Sequence, residues 1–182
     1  MMNDIKKRNH IILIAVIVLA IVCSLFNGYR QINSKVSEIR TVFTSGENDD
    51  DLSVLYDLTK IDDCLSNSLS LGKLYDLDSS DYYKEVEELH SQFDSLDKIK
   101  EYKSWYEDVQ EFYPLYLSEI EECDLSSTHE TMLSKYEATY NSSIHTIAYS
   151  DYNDLVVEYE EDTSGLLGSM FKLLVQEVDT FE

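Results

Sequence analysis

Apolar residues fall along this chain in five stretches. The first is continuous. Ile11 to Phe26 reads IILIAVIVLAIVCSLF, and His10 to Tyr29 holds no Lys, Arg, Asp or Glu. Twenty helical residues cover about 30 Å, the thickness of a bilayer core. Ile32, Val36, Ile39 and Val42 or Phe43 then continue at spacings of three and four, so the apolar run is expected to extend as one rod to Phe43. Thr44 to Asp51 stops it, because Gly46 follows the last periodic residue and the run of Asn and Asp favours turns.

A second helix is expected from Leu52, capped by Asp51 or Ser53, with Leu58, Ile61, Leu65 and Leu69 on one face. A third carries two stripes. Tyr82, Val86, Leu89, Phe93 and Leu96 form one; Ile99, Tyr102, Tyr106, Val109 and Tyr113 form the other. They are out of phase at Asp94 to Lys98, which predicts a bend or short break there. Pro114 sits inside the second stripe and is expected to kink it, because it lacks an N–H and clashes one turn back. A fourth helix opens on Ser127-Thr128-His129-Glu130, a capping box. Its face holds Leu133, Tyr136, Tyr140, Ile144 and Ile147, then Tyr152, Val156 and Tyr159 after a polar gap. Beyond Thr163-Ser164-Gly165 a last amphipathic stretch runs from Leu166 to Phe181. Stripes at helical spacing are what a packed core needs. The expected fold class is therefore all-α: one transmembrane helix continuing into an elongated antiparallel bundle of about four helices.

Charge sets the topology. Lys6, Lys7 and Arg8 give residues 1–10 a charge of +2, whereas residues 28–182 carry 11 bases and 35 acids, or -24. A basic cluster beside a span stays cytoplasmic, so the rest is expected outside. The divisions are a cytoplasmic tail at 1–9, an anchor at 10–29 bounded by Ile11 and Phe26, an acidic extracytoplasmic bundle at 30–162, and a C-terminal segment at 163–182. A cleaved signal remains the alternative, with a cut after Ser24, but Val22 is a poor residue for the site. The same Val22 argues against lipidation at Cys23. Antiparallel helices bring 163–182 back toward the bilayer, with Leu166, Leu167 and Phe171 as candidate interface contacts. The rival is a helix that caps the bundle end, since only Lys172 is basic there.

The 182 residues carry a net charge of -22, which excludes nucleic acid as a partner, because its phosphates need clustered Lys and Arg. One Pro and five Gly argue against an all-β fold. No catalytic, metal-ligating or cofactor-binding residue is assigned. The four His, at 10, 90, 129 and 145, have no paired spacing for zinc. The acidic loop Glu47 to Asp51 lacks the ligand pattern of a calcium loop and reads as a solvated turn. No nucleophile elbow, zinc-protease helix, phosphate loop or CxxC pair occurs. Cys64 and Cys123 fall at different levels of the bundle and are expected as free thiols. Asn141-Ser142-Ser143 is a glycosylation sequon if the host glycosylates.

Three stretches resemble the LemA family of bacterial membrane proteins. One is the whole plan of basic tail, single span and helical rod. Another is Val42-Phe43 to Gly46, the acidic turn, Leu52-Ser53 and Asp57-Leu58. The third is the pair of Tyr-Asn dipeptides, Tyr140-Asn141 and Tyr152-Asn153, with Val156 and Tyr159 following the second, then Leu166-Leu167-Gly168 and Phe181-Glu182. Where the family has an aromatic-proline, this chain has Tyr159-Glu160. The resemblance implies an anchored extracytoplasmic helical domain with no catalytic residues, in which Asn caps or bridges helices while Tyr packs. The expected function is binding or scaffolding at the cell envelope. The expected partners are the lipid bilayer and an envelope protein or a second copy. A sensory or adaptor module is the alternative reading.

Overall fold

The computed structural model describes residues 2–46, 53–172, 175 and 178–181. The described residues contain helices and no strands. They form α1 (Met2–Ser45), α2 (Val54–Lys73), α3 (Asp81–Phe93), α4 (Ile99–Glu121), α5 (Ser127–Ala148), α6 (Asp151–Asp162) and α7 (Leu166–Lys172), with a 3-10 turn at Leu77–Ser79.

The apolar run and the rod behind it are one helix. It ends as its sequence dictates: Gly46 takes a left-handed φ of 78° and its N–H bonds Val42 O at 3.0 Å. The two parts of α1 live in different surroundings. Ile14, Leu19 and Phe26 are 61%, 63% and 60% exposed, while Val36 and Ile39 are buried at 2%. The helix is long and apolar enough to cross a membrane.

Ser53 caps α2, its hydroxyl accepting the Tyr56 N–H at 3.1 Å. Leu58, Ile61 and Leu65 are wholly buried, as their spacing predicts. The phase break at Asp94 to Lys98 is larger than a bend. The chain reverses there, and α3 and α4 pack antiparallel: Trp105 Nε1 donates to Leu89 O at 2.9 Å, and Ser80 Oγ to Glu119 Oε2 at 2.5 Å. Glu101 holds the turn, accepting from the N–H groups of Asp97 and Lys98. Two stripes with different phases belong to two helix axes. With Ser80 as the cap of α3, Tyr83 faces inward and Tyr82 outward, one position from the expected stripe.

α4 continues through Pro114 to Glu121. It lies parallel to α2. Tyr113 Oη donates to Cys64 O at 3.2 Å and Tyr116 Oη to Ser68 O at 3.1 Å. Gly72 makes room for this contact, since a Cβ there would lie 2.0 Å from Tyr116 Oη. α5 is antiparallel to α2, with Ser143 opposite Asp57 and His129 opposite Tyr75. Its cap is Ser126, not Ser127, so the expected capping box does not form. Tyr75 fixes that register: its hydroxyl accepts the Ser126 N–H at 3.2 Å and pairs with His129 Nδ1 at 2.7 Å.

A break at Tyr149-Ser150 separates α5 from α6, where the polar gap stands in the sequence. α6 runs back along α1. Phe43 meets Tyr152 at one end, and Lys35 meets Glu158 and Asp162 at the other. The last stretch differs from expectation. Among the described residues its helix covers Leu166–Lys172, and Val178 and Phe181 lie buried in the core outside any helix.

Candidate functional site

Two places gather the residues that the sequence singles out. The first surrounds Asn153. Tyr149 closes α5 and Ser150 caps α6, so the last carbonyls of α5 lack continuing helical partners. The buried Asn153 Nδ2 donates to Ile147 O at 2.9 Å and Ala148 O at 3.3 Å. It also reaches Phe181 O at 2.9 Å, while Asn153 Oδ1 accepts the Phe181 N–H at 2.8 Å. One amide thus closes a helix end and holds the backbone of a distant segment. Tyr152 adds a bond from its hydroxyl to Asp179 O at 2.8 Å, and Lys103 Nζ pairs with Asp179 Oδ1 at 2.9 Å.

The Phe181 ring is fully buried, with Phe43, Tyr106 and Tyr152 rings between 5.6 and 5.8 Å away. Such edge and tilted contacts suit aromatic quadrupoles. Tyr106 Oη is buried and has no hydrogen-bond partner among the described residues. Loss of water pushes its hydroxyl up to about 12. Burial also raises the hydroxyls of Tyr152 and Tyr140 above the ordinary tyrosine range.

The first Tyr-Asn pair is built otherwise. Tyr140 is buried, its ring edge-on to Tyr113 at 4.9 Å. Asn141 is exposed on α5. Ser143, two residues on, donates to the buried Asp57 Oδ1 at 3.1 Å, and Lys60 Nζ bonds the same oxygen at 3.1 Å. Asp57-Leu58 and Asn141-Ser142-Ser143, far apart in sequence, therefore meet. The sequon is part of a helix in which Ser143 is only 2% exposed and its hydroxyl already bonded, an unfavourable setting for glycosylation of the folded chain.

The second place is a groove of about 740 Å³ beside α1. Ala20, Ile21, Ser24, Leu25, Gly28 and Ile32 line its apolar length; Gln31, Lys35, Asp162, Thr163 and Gly168 complete it. Lys35 Nζ sits 3.0 Å from Glu158 Oε1 and also bonds Asp162 Oδ2. Both bonds, Asp162 first, hold the ammonium above its usual range. Gly168 allows the tight return after α6, since a Cβ there would lie 2.4 Å from Thr163 O. Tyr159 is buried, with Lys172 Nζ 5.4 Å from its ring centre.

Of the remaining candidates, Phe26 is exposed under the Arg30 guanidinium, 6.0 Å from its ring. The side chains of Ile11, Leu166, Leu167 and Phe171, and the acidic loop Glu47 to Asp51, lie outside the described residues. His90 is half-exposed, with its Nδ1 2.8 Å from Asp62 Oδ1. Burial raises the Asp62 carboxyl, and His90 opposes that shift. Cys64 is buried and free, its thiol pushed up to about 11 chiefly by desolvation. No group of three or more His, Cys, Asp or Glu among the described residues is placed to hold a metal ion. Periodicity misses the tail contact around Phe181, because its bonds run from one side-chain amide to backbone. An Asn three residues after Ser150, at the polar gap, is the sequence signal for it. Compared with known proteins, the chain matches no family model, no curated protein sequence and no solved structure.

Proposed function

We propose that this chain is a LemA-like, single-pass membrane protein, which works as a binding or scaffold module at the bacterial cell envelope. One observation carries the reading. α1 passes without interruption from an apolar stretch exposed on all sides into the buried core at Val36, Ile39 and Phe43. Exposed apolar surface of that extent is costly in water, at about 25 cal/mol per Å², and calls for lipid or protein to cover it. The same helix then fixes the domain to the span.

In this reading residues 1–9 are cytoplasmic, 10–29 cross the membrane, and 30–162 form an acidic antiparallel bundle outside. The return of α6 along α1 to Lys35 supports a C-terminal segment near the bilayer. The charge of -24 on residues 28–182 keeps them from polyanions and favours basic partners. We assign it no catalytic role. A sensory or adaptor function through a partner membrane protein is the second reading, favoured by the rigid link through α1.

Cross-linking of the full-length protein in its membrane tests the proposal, with mass spectrometry of what is captured. A reproducible link to one envelope protein, or to a second copy, supports scaffolding. Capture at background level overturns it.

A further inference from the structure

The groove beside α1 has the dimensions of one membrane leaflet. From Ala20 to Lys35 is 15 residues, or roughly 22 Å along the helix axis. Half a hydrocarbon core plus one headgroup layer is about 20–22 Å. Polarity changes along the groove in the same sense. Ala20, Ser24 and Gly28, one turn apart, leave an apolar channel on α1. Gln31, Lys35 and Asp162 form a polar rim at the other end.

We infer that this groove binds one phospholipid with a zwitterionic, amine-bearing headgroup. The inference rests on the anchor reading above, since it needs α1 in a bilayer. The acyl chain lies along Ala20 to Gly28, and the headgroup meets the rim. At the rim the Asp162 carboxylate pairs with the Lys35 ammonium, and Glu158, outside the groove lining, bonds the same ammonium. The rim itself therefore presents one carboxylate and one ammonium. A headgroup ammonium finds Asp162, a phosphate finds Lys35, and a headgroup without an ammonium leaves the carboxylate unmatched.

Other occupants fit less well. A helix is about 10–12 Å across, whereas a groove of about 740 Å³ has the size of a small-molecule pocket. A second copy would bring another domain of charge -24 against the first. The groove also opens onto the exposed apolar surface of α1, where lipid is the solvent in this reading. A void left there would forfeit the packing of its walls.

The test uses the full-length chain in nanodiscs holding equal phosphatidylethanolamine and phosphatidylglycerol, followed by native mass spectrometry. The expected result is a single retained phosphatidylethanolamine. Its preference over phosphatidylglycerol should be about two- to fivefold, the range an exposed ion pair supplies. Gly28→Leu fills the channel while raising helix propensity, and should abolish the adduct. Val18→Leu, on exposed α1 surface outside the groove, should retain it. Asp162→Asn should remove the headgroup preference and keep the adduct. Equal retention of both lipids, or an adduct indifferent to Gly28→Leu, overturns the inference. A dimer that Gly28→Leu dissolves overturns it in favour of a second copy. An alkaline carbonate wash of membrane vesicles holding the full-length chain separates the two readings. A chain that washes off overturns the anchor and the lipid site together; a chain that stays without a selective adduct overturns the lipid site alone.

Discussion

Tyr140-Asn141 and Tyr152-Asn153 are the same dipeptide in two settings. Both tyrosines are buried among aromatic rings. The asparagines part company. Asn141 points from mid-helix to solvent, whereas Asn153 stands one turn after a helix break and makes four backbone contacts. An amide inside a helix has few backbone groups left to satisfy. One beside a break meets the orphaned carbonyls of the helix before it. Position relative to the break, not residue type, makes the second pair a clasp.

Alkali should act on the tyrosines of both pairs alike, and most strongly. Burial raises Tyr106, Tyr113, Tyr116, Tyr140 and Tyr152 above the ordinary value of 10.0. Above that pH the unfolded chain loses protons that the folded chain keeps. The stability these hydroxyls contribute is complete below pH 10 and falls as pH rises. Each loses up to about 1.4 kcal/mol per pH unit. Tyrosinate absorbance should therefore rise in two stages, exposed rings first and these five together with loss of helical circular dichroism. A single smooth titration would contradict the burial.

Substitution separates the asparagines. Asn153→Ala deprives the buried Phe181 N–H and carbonyl of their partner and should cost about 2–4 kcal/mol in urea unfolding, freeing residues 178–181 to protease. Asn141→Ala should change stability by less than about 0.5 kcal/mol. Equal effects would erase the distinction drawn here. Tyr152→Phe keeps the ring and deletes the bond to Asp179 O, for a loss of about 1–1.5 kcal/mol. Ser143→Ala, in the first pair's neighbourhood, removes one donor from buried Asp57 and should cost about 1 kcal/mol, with Lys60 still bonded.

The clasp also marks where sequence reading stops. Leu58, Ile61, Val109 and Ile147 repeat at helical spacing, and burial follows that pattern directly. The cap at Ser53 and the stop at Gly46 are local chemistry, legible for the same reason. The reversal at Asp94 to Lys98 shows only as a phase slip, because periodicity reports which face is apolar and not where the axis points. Ser126 displaces Ser127 as a cap through a tertiary bond to Tyr75, 51 residues away. Phe181 reads as the end of an amphipathic helix until its backbone is seen bonded to Asn153. Of the candidate site, the Tyr-Asn motif and the apolar stretch of α1 are legible in the chain. The groove depends on where α6 and α7 fall against that stretch.

The 44 residues of α1 extend roughly 66 Å with no hinge. Its exposed apolar part and its buried Val36–Phe43 face therefore share one angular setting. A single residue inserted between Phe26 and Ile32 would turn one part about 100° against the other. Seven would bring them back to within about 20° while lengthening the rod by two turns. Orientation of the domain about the axis of α1 is thus encoded as helical phase, and a twist of the apolar part at one end arrives at Phe43 as the same twist.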